Sequence, residues 1–159
     1  MPRIAICLVS VLAAALIGPA QAQETDPDQP IVEWVRTPTG RQFAREYPSE
    51  AMSRGLSGFS LQCCNVRENG RLDCESVCET PAGMGFGAAA QSISRGFEMS
   101  STDAAAWRAA GARIPVPTIF LLNVDDDNPQ VVELRAAIRE ATRGLCPVPE
   151  QFRAAPISE

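Results

Sequence analysis

The sequence predicts an α+β protein built on a small antiparallel sheet. Three observations carry this. Gly58 to Pro81 (GFSLQCCNVRENGRLDCESVCETP) reads as a β-hairpin, because two apolar-containing arms flank Glu68-Asn69-Gly70. Phe86 to Phe97 repeats apolar residues at helical spacing: Phe86, Ala89, Ala90, Ile93 and Phe97. Arg113 to Leu122 (RIPVPTIFLL) is a strand-like run interrupted by Pro115 and Pro117.

The chain opens with a leader. Arg3 supplies a positive n-region, Ile4 to Ile17 an apolar core, and Ala20-Gln21-Ala22 a small-x-small cleavage site. Cleavage is expected between Ala22 and Gln23. Cys7 sits inside the apolar core, so the lipoprotein pattern is missing. The alternative is a retained anchor, against which stands an apolar run shorter than the roughly 20 residues of a spanning helix. Residues 1–22 are therefore read as a signal peptide, and residues 23–33 (QETDPDQP and beyond) as a flexible arm.

Ile31 to Val35 is apolar enough for a short strand or a docking segment, with Trp34 filling a groove of its own domain. Tyr47 to Gly55 predicts a short helix with Pro48 at its first position and Gly55 just past its end. Ala51 and Met52 would face inward.

The hairpin turn admits two registers. A two-residue turn at Asn69-Gly70 sets Val66 opposite Asp73. A three-residue loop with Gly70 left-handed sets Val66 opposite Leu72 and Cys64 opposite Cys74, pairing apolar with apolar. The second predicts a Cys64–Cys74 cross-strand disulfide. Its alternation places Cys78 on the Cys64–Cys74 face, and Cys63 on the other with Phe59, Leu61 and Val77.

After Pro81 comes a glycine-rich loop and the helix from Phe86. Asp103 to Ala110 (DAAAWRAA) predicts a further helical turn capped by Ser101 or Thr102. The prolines at 115 and 117 lie two apart, so one side of the last strand lacks ladder donors. Asp125 to Pro129 is a turn into a helix reaching about Arg143. Asp127 or Asn128 caps it, Val131, Leu134, Ile138 and Ala141 face inward, and Gly144 ends it. The three aspartates lack the EF-hand spacing, so capping is preferred to calcium.

Composition excludes several functions. The formal charge is −5, all 14 basic residues are Arg, and they are scattered along the sequence, which argues against nucleic acid. There is no His, which removes His triads, His metal sites and imidazole acid–base chemistry. Of six cysteines, removal of the leader leaves Cys63, Cys64, Cys74, Cys78 and Cys146. Export makes disulfides their default reading. An odd number leaves one thiol free or paired between chains. Cys146 is expected to bond Cys78 or Cys63 and so staple the C-terminal helix to the body. Cys74-x-x-x-Cys78 lacks the spacing of a redox pair, and adjacent Cys63 and Cys64 point apart on a strand, which disfavours a zinc site. Gly83-x-Gly85-x-Gly87 lacks the dinucleotide-binding spacing and reads as a loop and helix entry. Neither a nucleophile elbow nor an acid–base pair is evident, so the chain is read as non-enzymatic, without metal or cofactor. A hydrolase or redox enzyme is the lesser alternative.

The order of short helix, hairpin, helix and proline-bearing strand, with its motifs, resembles the TonB C-terminal domain family. Tyr47-Pro48, Ala51, Gly55 and Gly58 match that family's YP-x-x-A-x-x-x-G-x-x-G opening. Gly70 falls at its hairpin glycine, Phe86 with Ala89 and Ala90 at its helix start, and Pro117 with Phe120 in its closing strand. The cysteines resemble a cysteine-bearing branch. The resemblance spans 34–122 and leaves 123–159 as a C-terminal helical extension and tail.

The resemblance implies a three-stranded antiparallel sheet with two helices on one face. It implies a periplasmic protein of a Gram-negative envelope, linked to outer-membrane transport. Its partner would be an envelope protein or extended peptide, such as a segment of an outer-membrane receptor, bound by β-strand addition. A membrane-anchored transducer component is the alternative. Against it, the chain lacks both a functional His and a long Pro-rich arm.

Overall fold

The computed structural model describes residues 30–122 and 129–153. The expected leader with Cys7 and its expected cleavage position at Ala22 and Gln23, most of the expected arm, and Asp125 to Asn128 lie outside them. The described residues form an α+β fold with two antiparallel sheets. The larger has three strands in the order β3-β2-β5: β2 is Gly58–Val66, β3 Leu72–Thr80 and β5 Ile114–Phe120. A two-stranded ribbon pairs β1 (Trp34–Arg36) with β4 (Glu98–Met99).

The β2–β3 register is that of the three-residue loop. Val66 lies opposite Leu72 and Cys64 opposite Cys74. The Arg67 N–H donates to the Arg71 carbonyl at 2.8 Å, and Gly70 has φ 74°. Gly70 needs that left-handed conformation, and a Cβ there would also strike the Met99 carbonyl.

Further along, the register slips. Gln62 pairs with Ser76 but Leu61 pairs with Cys78, so Val77 is the extra residue of a bulge. Strict alternation placed Cys78 with the Cys64–Cys74 pair. The bulge turns it to the opposite face, where Val77 and Cys78 pack with Leu61, Cys63 and Cys146.

Both faces of the sheet are covered. On the Cys64 face lie α1 (Gly40–Glu46), α2 (Ser49–Ser53) and α3 (Phe86–Ser94). Their contacts centre on Ala51, Phe86, Ala89, Ala90, Ile93 and Phe120. Helix α1 is unforeseen, although Thr39 and Gln42 form its capping box. In α2, Ala51 is buried as expected, but Met52 is 50% exposed, because five residues make little more than one turn and only one side meets the core. Helix α4 (Ser101–Ala109) closes the hairpin end of this face with Trp107 and Ala104. Its cap is Ser100 rather than Ser101 or Thr102, and the Ser100 hydroxyl accepts from the Asp103 N–H at 3.2 Å.

The opposite face is covered by α5 (Pro129–Leu145), which brings Leu134 and Ile138 onto Phe59 and Ile119. The helix continues through Gly144 instead of ending there. The chain then turns back. Phe152 stacks on Trp107 with centroids 4.1 Å apart, and Ile31 N–H donates to the Phe152 carbonyl at 2.9 Å. Trp34 packs against Phe97 at 4.8 Å, within its own domain. Among the described residues no helix is long and apolar enough to cross a membrane.

Candidate functional site

The motif residues converge on packing. Tyr47, Ala51, Phe86, Ala89, Ala90 and Phe120 form one cluster under α3. The Tyr47 ring stands edge-on to Phe86 and Phe120, at 6.0 and 5.6 Å, and its hydroxyl donates to the Leu56 carbonyl at 2.7 Å. Burial raises the Tyr47 phenol above its ordinary pKa, opposed by a hydrogen bond with Ser57. Gly58 has no room for a side chain, because a Cβ would meet the Phe86 ring and the Thr80 carbonyl. Gly55, with φ 65°, follows the end of α2, and Pro48 is that helix's N-cap residue. Pro117 lies on β5 opposite Leu61. These residues fix the sheet and its cover, and none of them lines the cleft beside β3 described below.

The cysteines form two cross-links on opposite faces. Cys64 and Cys74 are bonded within the hairpin, with Cα atoms 4.0 Å apart. Cys63 bonds Cys146 across 83 residues and ties the end of α5 to the central strand. Between the two partners open to Cys146, the structure selects Cys63. Cys78 is a half-buried free thiol. The glycine-rich loop is held by Glu79, whose carboxylate accepts from the N–H groups of Gly83 at 2.7 Å and Gly87 at 2.6 Å. A carboxylate at the first turn of α3 also suits the helix dipole.

The two free edges of the sheet differ in chemistry. Because Arg67 and Arg71 are a hydrogen-bonded pair, alternation makes Cys64 and Cys74 a non-bonded pair. Their short Cα separation agrees with this. Cys63 and Leu61 therefore turn their backbone groups toward β3, and Pro115 and Pro117 opposite them face β2 without ladder bonds. The missing donors fall on the outer side of β5. On β3 the same alternation sends the backbone groups of Leu72, Cys74 and Ser76 outward. The Cys74 carbonyl accepts there from Gln91 Nε2 at 3.4 Å. The start of this edge is also occupied, by a bridge from Arg71 to Glu98, and among the described residues no further strand pairs with it.

A cleft of about 510 Å³ runs along this β3 edge, lined by Arg67, Arg71, Leu72, Asp73, Cys74, Gln91, Ser94 and Arg95. Three guanidiniums face one carboxylate there, in a chain of net charge −5. Arginines that look scattered in the sequence are gathered by the hairpin turn and the end of α3. Sequence reasoning missed this set because its members come from two separate elements.

No family model matches the chain, and no curated protein matches it.

Proposed function

We propose that this chain is a periplasmic, non-enzymatic interaction module of the TonB C-terminal kind, taking an extended segment of an envelope protein as an added strand on β3. The supporting observation is the asymmetry of the sheet edges. β3 presents outward backbone donors and acceptors beside an open cleft, whereas β5 has lost two outward donors to proline. Main-chain hydrogen bonds along such an edge supply affinity, and neighbouring side chains supply selectivity. The packing of Tyr47, Ala51, Phe86, Ala89, Ala90 and Phe120 into one cluster is in keeping with the TonB-like reading. Two cross-links and a covered sheet suit a rigid platform rather than a reacting centre.

The test is an edge block. Ser76 lies in a non-bonded pair with Gln62, so Ser76→Pro removes an outward donor while leaving the β2 ladder bonds in place. The immobilised wild-type chain is expected to capture a partner from envelope extract. Ser76→Pro also gives up the 3.1 Å contact of the Ser76 hydroxyl with Ser60; while keeping the parent circular dichroism spectrum, it is expected to lose the partner. Equal capture by the folded variant would overturn the reading.

A further inference from the structure

We infer that the β3 edge selects acidic segments, specifically an extended peptide carrying two adjacent carboxylate side chains. The inference rests on the strand-addition reading and adds the chemistry of the partner. Arg67 and Asp73 lie on the α5 side of the sheet by alternation, and their 3.3 Å ion pair agrees with that placement. Arg71 sits beside them across the hairpin turn. Arg95 follows α3, which covers the opposite face. Guanidiniums thus flank the edge at Leu72–Cys74 from both sides of the sheet.

Successive residues of an added strand point to opposite faces. Two neighbouring acidic residues would send one carboxylate toward Arg67 and Arg71 and the other toward Arg95. Single or alternate acidic residues would reach one side only.

The arginines are available for this. Arg67 and Arg71 are exposed, and their carboxylate partners stand at 3.3 and 3.9 Å, longer than the 2.6–2.7 Å pairs of Arg54 or Arg113. Exposed pairs of this kind contribute little to stability, so exchanging partners costs little. Arg95 is exposed and makes no ion pair among the described residues. The cleft holds an excess of positive charge along the edge that follows the Arg71–Glu98 bridge, where an added strand would displace the long 3.4 Å contact of Gln91 with the Cys74 carbonyl.

The experiment uses two fluorescein-labelled peptides of alternating Val and Thr that differ only at the centre, Glu-Glu in one and Gln-Gln in the other. Binding to the purified, disulfide-intact chain is read by anisotropy, and the site by amide hydrogen exchange. The Glu-Glu peptide is expected to bind roughly tenfold tighter at low salt. The preference should vanish in the Arg71→Ala/Arg95→Ala variant and shrink as salt is added. Both peptides should slow exchange between Leu72 and Ser76. Equal affinity of the two peptides, with slowed exchange on β3, would overturn the acidic selectivity and leave strand addition standing. Unchanged β3 exchange, or slowing confined to another element, would overturn strand addition itself.

Discussion

On the Cys64 face of the sheet, three helices interlock around Phe86, with Tyr47, Ala51 and Phe120 filling the spaces between them. On the Cys63 face there is one long helix, α5, and a single cross-link from Cys146. The first cover is assembled from short segments close in sequence to the strands they protect. The second comes from the far end of the chain and has few neighbours to share the load. Side-chain packing therefore dominates on one side, and restriction of the unfolded chain matters more on the other.

Mutation of each side sharpens that contrast. Cys63→Ala with Cys146→Ala opens a closed loop of sequence separation 83. Chain entropy puts the loss at about 4–5 kcal/mol, read as a lower urea midpoint. Phe86 is fully buried, and Phe86→Ala is expected to cost about 4 kcal/mol in the same assay. Cys64→Ala with Cys74→Ala releases a loop of separation only 10 and should cost less, about 3 kcal/mol. If the short cross-link proves the costlier, the entropic account of the α5 face is wrong.

The smallest effect is at Tyr47. Tyr47→Phe loses the hydrogen bond to the Leu56 carbonyl, about 1 kcal/mol at neutral pH. The folded-state pKa of this phenol lies above its unfolded value, so the folded chain favours the protonated form. Its contribution is complete below the unfolded pKa, about 10, and is lost as pH rises through the folded value. Urea midpoints measured above pH 10 should fall less steeply for Tyr47→Phe than for the parent chain.

The parts legible in the sequence are those set by local chemistry. Glu68-Asn69-Gly70 identified the loop, and apolar pairing of Val66 with Leu72 identified its register. The core stripe Phe86, Ala89, Ala90 and Ile93 was likewise readable from helical spacing. Helix α1 carries a local signal too, since Thr39 and Gln42 spell its cap. The bulge at Val77 was not legible, because nothing in a strand's own residues says where its neighbour will skip one. That single residue decided the face of Cys78. The arginine-lined cleft was hidden for another reason. Arg67, Arg71 and Arg95 meet only after α3 has packed beside β3, a tertiary event with no periodic trace.

The adjacency of Cys63 and Cys64 has a consequence for how the cross-links find their partners. Once β2 is extended, the sheet is a barrier between two thiol populations. Cys64 and Cys74 lie on one side, and Cys63, Cys78 and Cys146 on the other. A wrong bond between the sets would require a sulfur to pass through the backbone. The hairpin thus sorts its own four cysteines into these two sets. It leaves one choice to be made, which of Cys63 and Cys78 takes Cys146, and the docking of α5 makes it.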